Sequence, residues 1–193
     1  MILGVIAALT LPALNRSTNK NELISMMKKE YSSFSNAADL MAQREGDIKY
    51  WDWTDILETK IKLYLNITKS CAKSTGCFPD VTYKKLDGNP GINFNSSGDY
   101  YKYALTDGSS VAIAAATGSG SAYGLNDNIN GIIIVDVNGQ KGPNQIGRDT
   151  FLFAFVNGKG ILPGGADSQT GCSARSSDGY NCAAYVLKES KIP

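Results

Sequence analysis

Apolar and polar positions follow three rhythms along this chain. From Met1 to Leu14 there is almost no alternation: Ile2, Leu3, Val5, Ile6, Leu9, Leu11 and Leu14 run together around Pro12, and the first charge is Arg16. From Leu23 the rhythm becomes helical. Leu23/Ile24, Met27, Tyr31, Phe34, Ala38 and Met41 recur at steps of three and four, while Lys28, Lys29, Ser32, Ser33, Asn36 and Gln43 fill the opposite face. Met26, Met27 and Phe34 read as helix core. The spacing predicts one long helix from near Met1 to about Glu45, ending at Gly46 and bent at Pro12, where a backbone hydrogen bond is lost. The chain thus divides into an N-terminal helix, 1–46, and a head domain, 47–193; the helix is apolar over 1–14 and amphipathic over 15–46.

Within the head, Ile56, Leu57, Ile61, Tyr64 and Leu65 predict a shorter helix over about Thr54–Asn66, capped by Asp52 or Thr54. The third rhythm, that of strands, begins after Asp80. "YYKYAL" and "SVAIAAA" flank "TDGS", in which Asp107-Gly108 signals a hairpin. "TGSGSAYGLNDNING" reads as a loop, "IIIVDV" and "TFLFAFV" as buried strands, "NGKG" as a turn into "ILP", and "AAYVLKES" as a terminal helix. The expected class is α+β: a long helix packed on an antiparallel sheet of about four strands.

Composition narrows the chemistry. The chain has no histidine, which removes Ser-His-Asp and Cys-His catalysis and histidine-ligated zinc, and no enzyme active site is expected. Net charge is +1, with no basic cluster beyond Lys28-Lys29 and Lys84-Lys85, so a nucleic-acid face is not expected. The four cysteines fall as two local pairs, Cys71/Cys77 and Cys172/Cys182, without C-x-x-C spacing. Two short-loop disulfides and an extracytoplasmic compartment are the reading, with reduced buried thiols as the alternative; four cysteines admit three connectivities.

The apolar run is short for a membrane. Its residues span about 21 Å as a helix, against a hydrocarbon core of ~30 Å. It also lacks the basic region and cleavage site of a secretory signal. A buried core helix is one reading. The other comes from a likeness: "GVIAALTLPALN" followed by a lysine-bearing amphipathic helix resembles the N-terminal segment of type IV pilins and type II secretion pseudopilins. "DVNGQKGPNQIGRDTFLFAF" and "GYNCAAYVLKESKIP" are similar to segments of bacterial pilin-like proteins, so the likeness touches both ends of the chain. The family's leader, its terminal glycine and the glutamate near the mature N-terminus have no counterpart here. Aligned on Pro12 that glutamate falls before Met1, and the expectation is that Met1 is not the biological start. The resemblance implies a structural subunit of a type IV pilus or type II secretion pseudopilus. Its helix (Ile2, Leu3, Val5, Ile6, Leu9, Leu11, Pro12, Leu14) would anchor it in the bacterial inner membrane and then pack in a filament core. The head would stay extracytoplasmic, and in the filament it would reach the cell surface. Implied partners are other pilin or pseudopilin subunits, the inner membrane before assembly, and the prepilin peptidase acting on the full-length precursor. The alternative is a secreted or surface-anchored binding module for glycan or protein.

Three features remain as candidate chemistry. In "DVNGQKGPNQIGRD", Asp136, Asn138 and Asp149 offer hard oxygen ligands, with Gly139, Gly142 and Gly147 as turning points and Asp127 as a further donor. Calcium suits such a site, although no acid stands at the fifth position (Gln140) and no glutamate closes the loop. The competing reading is a turn in which Asp136 and Asn138 bond the backbone and Arg148 pairs with a neighbouring acid. Trp51, Trp53, Tyr100, Tyr101 and Tyr103 form either a glycan-binding face or sheet packing. "NIT" at Asn66 and "NSS" at Asn95 match the glycosylation sequon.

Overall fold

The computed structural model describes residues 3–168, 172–173 and 177–193, with side chains from Asn19 onward. Helix α1 (Leu3–Glu45) is continuous through Pro12. Ile2 lies outside the described residues, as do the side chains of Leu3, Val5, Ile6, Leu9, Leu11, Pro12 and Leu14. From Leu23 the helix buries the stripe its spacing dictates: Leu23, Ile24, Met27, Phe34, Ala37, Ala38 and Met41. It stops at Gly46, whose φ of 81° is left-handed, and the Trp51 indole N–H donates to the Gly46 carbonyl at 2.8 Å.

The connection that follows departs from the regular helix expected over 54–66. A 3₁₀ turn (Ile48–Tyr50) is capped by Asp47, and α2 (Trp53–Asp55) is capped by Asp52, whose carboxylate accepts from the Thr54 and Asp55 amides. A π turn (Ile56–Lys60) and a second 3₁₀ turn (Ile61–Leu63) complete it. The wider turn has a packing cause. Ile56 and Ile61, five residues apart, are both buried, and a π turn brings that spacing onto one face.

Six strands, rather than four, then form one antiparallel sheet in simple chain order: β1 (Ile67–Ala72), β2 (Tyr101–Leu105), β3 (Ser110–Ser119), β4 (Asn128–Asp136), β5 (Thr150–Val156) and β6 (Gly160–Pro163). The two additional strands are the edges, and each hides from a hydrophobic pattern for a different reason. β1 lies in the segment leading into the first cysteine loop, and Cys71 is its only fully buried residue. β6 is four residues long and ends on Pro163, a residue tolerated at a sheet edge. The expected loop 117–131 is also partly strand, since β3 runs to Ser119 and β4 begins at Asn128.

Side chains alternate cleanly across the sheet. Tyr103, Val111, Ile113, Ile133, Val135, Phe151, Phe153 and Phe155 face α1, joined by Ala183 and Val186 of α3 (Cys182–Glu189). Phe153 stacks against Tyr31 and Phe34 with ring centroids 5.6 and 5.9 Å apart. On the other face Ala112, Ile134 and Leu152 meet Phe78, Tyr83 and Phe94 from the long irregular segment between β1 and β2. Both disulfides are local, Cys71–Cys77 and Cys172–Cys182, which selects one of the three connectivities. Loops this short contribute about 2–3 kcal/mol each in the chain-entropy account.

Candidate functional site

The polar stretch 136–149 joins β4 to β5, and its neck is closed by the Val137 amide donating to the Asp149 carbonyl at 2.9 Å. Asp136 and Asp149 are both fully buried. Asp136 accepts from the Asn138 and Gly139 amides at 3.2 and 2.9 Å and from the Tyr83 hydroxyl at 2.5 Å. Asp149 accepts from the Asn144 and Gln145 amides at 2.7 and 2.8 Å and from the Thr150 hydroxyl at 3.3 Å. Asn138 donates through Nδ2 to the Gly142 carbonyl at 3.1 Å, while its Oδ1 is buried without a donor. Gly139 and Gly147 are left-handed, at φ 63° and 87°; a Cβ on Gly139 would strike the Gly108 carbonyl of the β2–β3 turn.

These contacts describe carboxylates engaged in building turns. The lone pairs that calcium would use already accept backbone and hydroxyl hydrogens. Asp127 is drawn away to Lys159, 2.6 Å distant, and among the described residues no group of three or more Asp, Glu or Cys is placed to hold a metal ion. Burial, reinforced by the Asp149 carboxylate, pushes Asp136 up to about 8, and burial also raises Asp149. The expected partner of Arg148 is absent too: among the described residues its guanidinium makes no ion pair, and its buried Nε lacks an acceptor.

The aromatic residues are packing groups. Trp51, Trp53 and Phe155 form a cluster with centroids 5.2 to 5.8 Å apart, and Gly131 leaves the room on β4 that the Trp53 indole fills. Tyr103 is fully buried and its hydroxyl donates to the Leu57 carbonyl. Tyr100 packs on Phe94, and the Tyr101 hydroxyl donates to Glu58 at 2.8 Å. Asn95 is buried, with its Oδ1 accepting from the Gly76 amide at 2.6 Å, so its side chain is committed; Asn66 is exposed.

Two polar arrangements carry no signal in the motifs of the sequence. Glu30 sits on the buried stripe of α1, only 2% exposed, with Oε2 unpartnered. Burial first, and then Asp107 of the β2–β3 turn, raises it to about 8. Burial alone would raise Asp107, but hydrogen bonds from Glu30, Lys29 and Ser109 outweigh it and hold that carboxyl well below the usual range. Lys29 reaches Asp107 at 2.5 Å, so helix and turn are tied together here. The second arrangement is a cavity of about 390 Å³ between α1 and the 143–148 segment, walled by Asn19, Lys20, Leu23, Pro143, Arg148 and Ile192.

No family model, no curated protein and no solved structure matches this chain. Among the described residues no helix is long and apolar enough to cross a membrane.

Proposed function

We propose that this chain is a pilin-like structural subunit, held in a membrane and then assembled into a filament through the apolar half of α1. The observation that carries the reading is the continuity of that helix. One unbroken α1 bears two kinds of sequence: an apolar run up to Leu14, and an amphipathic run whose Met27, Phe34 and Met41 are buried on the sheet. Each of those side chains contributes about 1.5–3 kcal/mol by leaving water. The second half of the helix therefore fixes the head, and the first half is left to supply an apolar rod for neighbours. Helix-to-helix contacts between such rods are heterologous and need not close, which is the geometry that builds filaments. The two disulfides fit a head exposed to an oxidising compartment.

The reading is tested in cells that express the chain from its own gene at its native locus. Mechanical shearing of the cell surface should release it in filaments that are visible by electron microscopy and are labelled by antibody to the head. Recovery of the protein only as a monomer, with no sedimenting surface fraction, would overturn the assignment.

A further inference from the structure

The cavity between α1 and the 143–148 segment has a distinctive lining. Among the described residues Lys20 and Arg148 supply two cations and Asn19 an amide, Leu23, Pro143 and Ile192 supply apolar surface, and no carboxylate is in the lining. Neither cation is paired with an acid among the described residues. Among the described residues the Lys20 ammonium has the Ile192 carbonyl, at 3.4 Å, and the Arg148 Nε, closed off from solvent, has no acceptor. Acids of the adjoining segments are engaged elsewhere or line a neighbouring hollow. Asp149 spends both oxygens on the Asn144 and Gln145 amides, and Asp107 is bound by Lys29. Glu22 lines the adjoining hollow together with Lys141, and Lys191 lines a third that shares Lys20 and Ile192.

Two cations that share a hollow with no acid opposite them among the described residues focus positive potential there, which a bound anion offsets. A phosphate group meets each demand. Its oxygens match the guanidinium fork and the ammonium beside it, and its ester carbons can lie on Leu23, Pro143 and Ile192. The volume, about 390 Å³, suits a headgroup-sized ligand.

We infer that this cavity is a binding site for a phosphate ester, with Arg148 and Lys20 as its anion-binding residues. Its place on α1 indicates the source. Asn19 and Lys20 lie about 8 Å along the helix from Leu14, the last residue of the apolar run. If the helix anchors the subunit, as proposed above, the cavity sits at the level of phospholipid headgroups, where basic residues are drawn to anionic lipid.

The site can be tested on the full chain in solution, without filaments or bilayers. Three probes are compared: monomeric dihexanoyl-phosphatidylglycerol, dihexanoyl-phosphatidylcholine below its micelle concentration, and inorganic phosphate. Binding is followed by the ¹H–¹⁵N resonance of the Arg148 Nε–H. The expected result is a saturable shift of that resonance with phosphatidylglycerol, tighter than with phosphate and tighter than with phosphatidylcholine. Lys20→Gln and Arg148→Gln should each weaken it about tenfold, and Lys73→Gln, at a distant surface, should leave it unchanged. Phosphate binding as tightly as the lipid would keep the site and assign it to a free anion. No shift with any probe, or equal loss in the Lys73 variant, would overturn the inference. Filament formation plays no role in these readings, so the site and the assembly proposal fail separately.

Discussion

The two faces of the sheet are covered in opposite ways. On one, α1 lays a repeating apolar stripe over Val111, Ile113, Ile133, Val135 and the phenylalanines of β5, with Trp51 and the short α3 completing the cover. On the other, the segment from Lys73 to Tyr100 covers Ala112, Ile134 and Leu152 with almost no regular structure. That second cover is held by point contacts. Lys102, fully buried, donates to the Asn95 and Ser97 carbonyls at 2.8 and 2.7 Å, Ser110 donates to the Cys77 carbonyl at 2.6 Å, and Tyr83 donates to Asp136. The helix face should fail through cavities. The loop face should fail through polar groups left without partners.

The largest effect is expected from Phe153→Ala, which empties the contact with Tyr31 and Phe34 and should cost about 3–5 kcal/mol in urea unfolding. A cost under about 1 kcal/mol would mean that α1 does not rest on this residue. Removing the first disulfide, as Cys71→Ser with Cys77→Ser, should cost about 2 kcal/mol. Hydrogen exchange should then quicken in 73–100 before α1 is affected. Lys102→Met keeps the bulk of the side chain but leaves two buried carbonyls unbonded, and should cost about 1–3 kcal/mol. Stabilisation by that change would show that the ammonium is a burden on the loop face.

The pH dependence touches both faces, through Glu30 on the helix side and Asp136, bonded to Tyr83, on the loop side. Glu30 and Asp136 titrate at about 8 in the folded chain, against about 4 for exposed carboxyls. Folding therefore favours their protonated forms. Their contribution is complete below about pH 4 and is lost as pH rises through about 8. Asp107 has the opposite sign, contributing above about pH 4 and losing that contribution as the medium becomes more acid. Thermal melting should peak near about pH 5 and decline toward pH 8. Glu30→Gln with Asp136→Asn should flatten the alkaline limb, and an unaltered limb would locate the titration elsewhere.

The same contrast explains what can be read from the residues alone. Met27, Phe34, Ala38 and Met41 announce α1 because a helix on a flat sheet must repeat its apolar positions, and "TFLFAFV" announces β5 because that strand is buried throughout. The hairpin at Asp107-Gly108 and the local cysteine pairs are equally plain. Glu30 has a positional signal that a reading of motifs misses: it stands three residues after Met27 and four before Phe34, on the buried stripe. Lys102 gives no such signal, because a lysine between two tyrosines reads as solvent-facing until a second cover is known to exist. That cover has no period to detect. Phe78, Tyr83, Leu86 and Phe94 are a hint, apolar residues scattered through a segment without rhythm. The 136–149 loop shows its donors in sequence, yet whether an aspartate binds an ion or its own backbone depends on where the amides point. Here the Asn138, Gly139, Asn144 and Gln145 amides point at the carboxylates.

The central claim is that the apolar half of α1 lies against the same helix of neighbouring subunits. It is tested most directly by Leu9→Cys, introduced into the native gene and oxidised in intact cells. The account predicts a disulfide-linked dimer in the surface fraction, absent when Cys replaces exposed Lys73 on the head. A Leu9→Cys chain that stays monomeric after oxidation and reacts freely with a membrane-impermeant maleimide would contradict it.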